Sequence, residues 1–199
     1  MRVIVVGATG TIGKAIVSEL GTRHEVIEVG FSRGRFQVDI ARIDSIRALF
    51  AAVGKTDAVV ASAGKVHFGS LHEMTSEQFQ VGLHDKLLGQ VHLALVAQRH
   101  LNDGGSITLT SGVLSHDPIR YGANASAVNG AIDAFVRAAA IELPRGLRIN
   151  AVSPTILRES LGIYGSYFIG FEAVPAERVA LAYARSVDGA QTGQVYEVQ

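Results

Sequence analysis

Three glycines near the start of the chain have the spacing of a phosphate-binding turn. The pattern Gly7-x-x-Gly10-x-x-Gly13 follows apolar residues 3–6 and precedes a helical pattern that extends to Leu20. Gly7 permits a tight strand exit, Gly10 lets the backbone approach a ligand, and Gly13 lets helix and strand pack closely. Free N–H groups at the start of such a helix attract anions. The sequence therefore predicts a pyrophosphate-binding turn formed by Gly7, Thr9, Gly10, Thr11, Ile12 and Gly13.

Lys86 and the histidines are the other side chains whose type and position suggest chemistry. Lys86 lies in an otherwise apolar helical pattern, so its ammonium group either reaches water or contacts a bound ligand. His84, His92 and His100 are eight residues apart, which corresponds to about 12 Å along a helix. One metal ion cannot bind all three at that separation. No metal site is predicted.

The elements that must position these residues alternate along the chain between strands and helices. Near-continuous Val/Ile runs instead of strict alternation are typical of a parallel sheet covered on both faces. The sequence predicts one doubly wound α/β domain of about seven strands, with a short substrate lid at about residues 155–175. The predicted strands are 3–6, 25–29, 36–40, 58–61, 106–110, 148–152 and 194–198, and the predicted helices are 11–20, 45–53, 76–101, 123–143 and 176–187.

Composition excludes several classes of partner and chemistry. The 199 residues include 18 basic and 18 acidic side chains, so no net charge favours nucleic acid or an anionic membrane surface. No cysteine is present, which excludes disulfides and thiolate chemistry and is compatible with a cytoplasmic location. No apolar run reaches the length of a membrane span. We expect a cytoplasmic protein that binds neither nucleic acid nor membrane.

Four further segments carry motifs that belong together. They are Val38-Asp39-Ile40, Ala61-Ser62-Ala63-Gly64, residues 140–154 and Thr192-Gly193-Gln194-Val195. With the glycine turn they resemble the short-chain dehydrogenase/reductase family over essentially the whole chain. The resemblance implies a Rossmann fold and hydride transfer between a nicotinamide dinucleotide and a small carbonyl or alcohol substrate. It also implies that the dinucleotide contacts Asp39, Ile40, Ser62, Ala63, Gly64 and Pro154.

The segment after the second strand indicates which dinucleotide is preferred. An acidic residue there binds the ribose 2′-OH of NAD(H), whereas an arginine accommodates the 2′-phosphate of NADP(H). This chain has Ser32, Arg33 and Arg35 in that segment and no carboxylate after Glu28. Ser32 and Arg33 therefore favour NADP(H). NAD(H) stays an alternative, because by strand alternation Glu28 could point toward the ribose.

The catalytic positions depart from the family pattern of a serine, a Tyr-x-x-x-Lys pair and an asparagine. Residues 130–134, Gly-Ala-Ile-Asp-Ala, resemble the motif that follows the family lysine. This alignment assigns the lysine position to Asn129 and the tyrosine position to Ala125. The serine position then falls on Gly112, beside Ser111.

The family asparagine position carries Lys86, so lysine and asparagine are exchanged between two helices. Tyr121 lies one turn before Ala125 and is predicted to share its helical face. A modified catalytic site would draw on Ser111, Lys86, Tyr121 and Asn129. Alternatively, Tyr121 packs over the mouth of the pocket and has no catalytic role.

Two functions are compatible with these residues. One is an NADP(H)-dependent oxidoreductase with a modified site, and the other is an NADP(H)-binding protein that transfers little hydride and acts as a redox sensor or partner subunit.

Small residues at Gly122, Ser126, Gly130 and Ala134 lie four residues apart along one face of the helix predicted at 123–143. From the resemblance we expect a homodimer or homotetramer through this helix and helix 76–101.

Overall fold

The structure is a computed structural model that describes residues 1–199. Seven parallel strands form one sheet in the order β3-β2-β1-β4-β5-β6-β7. The predicted α/β doubly wound fold is therefore confirmed. The strands are β1 (Arg2–Val6), β2 (Glu25–Gly30), β3 (Phe36–Gln37), β4 (Thr56–Ala61), β5 (Leu101–Thr110), β6 (Arg148–Pro154) and β7 (Val195–Val198).

Helices connect successive strands and cover both faces of the sheet. They are α1 (Thr11–Leu20), α2 (Ile43–Val53), α3 (Ser76–Gly82), α4 (Gly89–Ala97), α5 (Ala123–Glu142), α6 (Leu161–Tyr164) and α7 (Ala176–Asp188). The prediction of a single helix over 76–101 is wrong. A π-helical turn, Leu83–Leu88, separates α3 from α4, and α4 ends before β5 begins.

Two hydrophobic cores explain why the strands lack polar alternation. On one face, α2, α4 and α5 pack on the sheet through residues such as Phe50, Leu93 and Ile132. On the other face, α1 and α7 pack through Ile16 and Tyr183. Because the central strands are covered from both sides, both sets of their side chains must be apolar. None of the helices is long and apolar enough to cross a membrane.

The strand order fixes where a ligand can bind. The chain leaves β1 toward β2 on one side, whereas β4 starts the series that continues on the other side. A crevice therefore opens outside the carboxyl ends of β1 and β4, which is where doubly wound sheets bind ligands. The glycine turn after β1 and the Ser62-Ala63-Gly64 segment after β4 both lie at this edge.

Candidate functional site

The glycine turn has the geometry that pyrophosphate binding requires. Gly7 has φ 85°, and a Cβ atom there would lie 2.7 Å from the carbonyl oxygen of Ser62. A Cβ atom at Gly13 would overlap the carbonyl oxygen of Gly7. No side chain caps the start of α1, where Gly10 is the N-cap residue. The first N–H groups of α1 are therefore available to a phosphate, and the turn fits a dinucleotide.

A cavity of about 410 Å³, the predicted nucleotide cavity, lies beside this turn. Of the residues predicted to contact the cofactor, those that line it are Gly7, Thr9, Gly10, Asp39, Ile40, Ser62, Ala63 and Gly64. Those that do not line it are Thr11, Ile12, Gly13, Ser32, Arg33 and Pro154. The cavity is thus built mainly from the residues that follow β1, β3 and β4. Their contacts with a cofactor stay predictions.

Several residues of the cavity wall were not among the predicted contacts: Val6, Gly30, Phe31, Val38, Ala41, Lys65 and Asp85. Most directly follow or adjoin a predicted strand end, a signal that could have identified them. Asp85 had no such signal because it lies in the π-helical turn. It reaches the cavity edge because one of its oxygens, Oδ1, accepts the Lys65 backbone N–H at 2.8 Å.

The charged side chains in β2 and in the segment after it have different surroundings. Glu28 lines a different depression, together with Gly34 and Arg35, and is not part of the nucleotide cavity wall. The guanidinium carbon of Arg35 lies 5.3 Å from the centroid of the Phe36 ring. Arg33 is exposed. Arg35 therefore packs on a neighbouring ring, whereas Arg33 has no such contact.

Lys86 connects three parts of the chain. Its ammonium group donates to the main-chain oxygen of Ser111 at 2.8 Å and to Oδ1 of Asn129 at 2.7 Å. Burial lowers the pKa of Lys86 to about 8, and the carboxylate of Asp133 opposes this shift. A Cβ atom at Gly64 would lie 2.7 Å from Cα of Lys86. Lys86 therefore packs directly behind the Gly64 segment of the cavity wall.

The exchanged family positions are structurally coupled. Because Oδ1 of Asn129 accepts from Lys86, its amide nitrogen must face the other way. That nitrogen lies 2.8 Å from where a Cβ atom at Gly112 would be. A side chain at the family serine position would thus collide with Asn129. The Oγ atom of neighbouring Ser111 is buried and has no hydrogen-bond partner, and its predicted catalytic role stays a prediction.

No proton donor occupies the family tyrosine position. Ala125 is buried in a small apolar cluster with Val113 and Leu114. The prediction that Tyr121 shares the helical face of Ala125 is wrong, because α5 begins at Ala123. Tyr121 instead has φ 69° and packs edge-on against Tyr167 with ring centroids 6.2 Å apart.

Buried polar side chains that no sequence motif indicated form hydrogen bonds at the carboxyl end of β5. Gln90 is fully buried and pairs with the Thr110 main chain through bonds of 2.7 and 2.9 Å. The Thr110 hydroxyl also contacts the Tyr183 hydroxyl and the Ala61 carbonyl. Burial raises the pKa of Tyr183, which keeps this phenol neutral. These bonds fix the strand end from which Ser111 and Gly112 follow.

A second cavity of about 590 Å³ adjoins the first, because Gly64 and Lys65 line both. Most of its wall is apolar. One side comes from the segment after β4, including Val66 and Phe68, and the opposite side from residues 156–168. The structure therefore presents two cavities that meet at Gly64 and Lys65, one beside the glycine turn and one with a mostly apolar wall.

The fold and the site together define a class of protein. A parallel seven-stranded sheet with a glycine-rich turn at its switch point is a Rossmann dinucleotide-binding fold. A sequence profile described as enoyl-(acyl carrier protein) reductase matches residues 6–188. The chain belongs to the short-chain dehydrogenase/reductase family, a family of oxidoreductases.

Individual relatives share much of the chain. Versicolorin reductase 1 from Dothistroma septosporum is 31% identical over 183 residues, with 79% of this chain and 70% of the relative covered. Protein lin1944 from Listeria innocua has a crystal structure with 47% identity, full coverage of both chains and a TM-score of 0.98. A small-chain dehydrogenase crystallised with NADPH has 27% identity and a TM-score of 0.89, with 100% of this chain and 96% of that chain covered.

Proposed function

We propose that the protein is an NADP(H)-dependent oxidoreductase that acts on a small carbonyl or alcohol compound. The continuity of the nucleotide crevice with the apolar pocket at Gly64 and Lys65 carries this proposal. Bound NADP(H) would supply or accept the hydride. The bare-backbone turn would hold its phosphates, and residues 155–175 would form the lid, because five of them line the apolar pocket: 156, 157, 160, 164 and 168.

The preference for NADP(H) over NAD(H) is supported by the charges around β2. Glu28, the carboxylate that would favour NAD(H), belongs to a separate depression. Arg33 is exposed and has no salt bridge, so its guanidinium group is free to bind a 2′-phosphate. One structural relative was crystallised with NADPH. Ser32 would add a hydroxyl donor beside Arg33.

Calorimetric titration with NADPH and NADH tests this preference. Arg33→Ala should weaken NADPH binding about tenfold to a hundredfold, the effect of losing a charge-assisted hydrogen bond. NADH affinity should not change, since NADH lacks the 2′-phosphate. Arg35→Ala is the matched control and should leave both affinities unchanged, because Arg35 packs on Phe36. Equal wild-type affinities for the two cofactors would refute the preference.

Of the predicted catalytic side chains, Lys86 is the strongest candidate to hold the reacting proton, although it packs behind Gly64 and lines neither cavity. Its ammonium group uses two of its three N–H bonds on Ser111 and Asn129. A pKa of about 8 keeps it protonated at neutral pH and close to the range where proton transfer is efficient. Asn129 and the Ser111 carbonyl would orient it. Because carbonyl reduction consumes a proton, the rate of reduction should fall as pH rises through about 8 in wild type and should be lost in Lys86→Met.

A specific observation favours a second candidate function. Ala125 removes the family proton donor, and Tyr121 is directed to Tyr167 instead of replacing it. A protein that binds NADP(H) but transfers little hydride, such as a redox sensor or partner subunit, requires no such donor. A panel of carbonyl compounds followed at the nicotinamide absorbance distinguishes the two. Tight NADPH binding without turnover of any compound would support the second candidate.

Tyr121 can be tested separately. Because its ring packs on Tyr167 and is exposed at the surface, Tyr121→Phe should retain both cofactor binding and turnover. Loss of turnover with intact NADPH binding would instead assign it the proton. Thermal melting of the variant checks that the edge-on ring contact survives.

We also propose a cytoplasmic homo-oligomer formed through α4 and α5. An apolar groove of about 250 Å³ between these helices includes Leu95 and Phe135, and Leu95 is 46% exposed. Contact with a second copy would cover that surface. Light scattering should give a dimer or tetramer mass, and Leu95→Glu should shift it toward the monomer without changing NADPH affinity.

A further inference from the structure

Three aromatic side chains line the apolar pocket: Phe68, Tyr164 and Phe168. Phe68, from the segment after β4, lies 5.5 Å from Tyr164 between ring centroids. It also lies 5.6 Å from the ring of Tyr167, at an interplanar angle of 27°. Phe168 completes this part of the wall. The rings therefore pack on one another, and Phe68, Tyr164 and Phe168 also line the pocket, so a planar aromatic guest would gain ring contacts as well as burial.

One charged side chain lines this pocket. Lys65 is exposed, and its main-chain N–H is held by Asp85, which fixes the position of its backbone. No salt bridge involves its ammonium group. Ser160 and Tyr164 add hydroxyl groups to the lining, and no carboxylate is among the lining side chains. The lining of the pocket therefore carries one positive charge, at the end that joins the nucleotide cavity, where the Asp85 carboxylate is bonded to the Lys65 main chain and not to its ammonium group.

We propose that the substrate is an aromatic carbonyl compound carrying an ionised oxygen substituent, a carboxylate or a phenolate. This inference rests on the proposed function and specifies its substrate. The aromatic ring of the substrate packs against Phe68 and Tyr164, and its anionic oxygen pairs with Lys65. Lys65 thus determines specificity and is not required to transfer a proton.

Three probes separate the aromatic and ionic contributions. They are 4-acetylbenzoate, its neutral methyl ester, and 4-acetylcyclohexanecarboxylate, which keeps the charge but lacks the aromatic ring. Dissociation constants are measured by calorimetry with and without saturating NADP⁺, so the comparison does not depend on turnover or on cofactor binding. Failure of NADP⁺ to bind would refute the proposed function, while the probe affinities would still test the substrate class.

Wild-type protein should bind 4-acetylbenzoate about three- to tenfold more tightly than the ester, as expected for a partly exposed ion pair. Lys65→Met should abolish this difference, and Lys65→Arg should retain it. Phe68→Leu should reduce the preference for the aromatic probe over the cyclohexane probe severalfold, as loss of ring stacking requires. Thermal melting confirms that each variant is folded.

Two outcomes would overturn the proposal. One is equal wild-type affinity for the acid and its ester, which would show that Lys65 does not recognise an anion in the pocket. The other is a loss of NADP⁺ affinity in Lys65→Met with the acid-to-ester ratio unchanged. Because Lys65 lines both cavities, that result would assign its ammonium group to the nucleotide phosphates.

Discussion

Replacing Lys86 should reveal a pH-dependent cost of burying its charge. Burial lowers its pKa from 10.5 to about 8 in the folded chain, while the unfolded chain retains the ordinary value. Between these two pH values the unfolded state binds more protons than the folded state, so folding stability rises with pH. At about 1.4 kcal/mol for each unit, the full rise is on the order of 3 kcal/mol.

Urea unfolding of wild type and Lys86→Met from neutral pH to pH 10.5 measures this effect. The variant has the same other titrating groups, so their contributions cancel in the difference between the two proteins. The wild-type free energy of unfolding should increase relative to the variant as pH rises through about 8, and the increase should level off near 10.5. A difference that stays constant across this range would show that Lys86 titrates normally and would refute the buried-ammonium argument.

Three further changes test the packing of the site. Gly13→Ala should abolish NADPH binding in calorimetry, because the added methyl group overlaps the backbone of the turn; unchanged affinity would contradict the close helix–strand approach. Gln90→Leu should lower the free energy of unfolding by about 2–4 kcal/mol by leaving a buried peptide group unpaired, whereas the exposed control Gln80→Leu should change it little. Gly112→Ser should cost about 1–3 kcal/mol through overpacking against Asn129, and adding Asn129→Ala should recover part of that loss. If the changes in the free energy of unfolding caused by Gly112→Ser and Asn129→Ala simply add in chemical denaturation, the two side chains do not contact each other.

Local sequence was sufficient for most of the fold. The glycine turn could be predicted because all of its parts lie within one strand, one turn and the start of one helix. Parallel strands that helices cover on both faces must consist of apolar residues. The seven strands and their alternation with helices could therefore be predicted from the apolar runs in the sequence. Element ends were less predictable, as for 76–101, where the hydrophobic pattern continues through a π-helical turn that changes only the backbone hydrogen bonding.

The contacts of Lys86 with Ser111 and Asn129 were not visible in the sequence. Lys86 meets Ser111, 25 residues away, and Asn129, 43 residues away, because helix packing brings these segments together behind Gly64. The contact of Tyr121 with Tyr167, which is likewise distant in the sequence, was not visible either.

The sequence by itself determined a Rossmann fold with a phosphate-binding turn and family membership, because these depend on short-range backbone requirements and on the apolar pattern. Only the tertiary structure decided which charged groups face which cavity. Glu28 lines a different depression from the nucleotide cavity, whereas Lys65 lines both that cavity and the apolar pocket. The direction of a side chain at a strand end depends on how neighbouring loops pack, and residue spacing does not encode that packing.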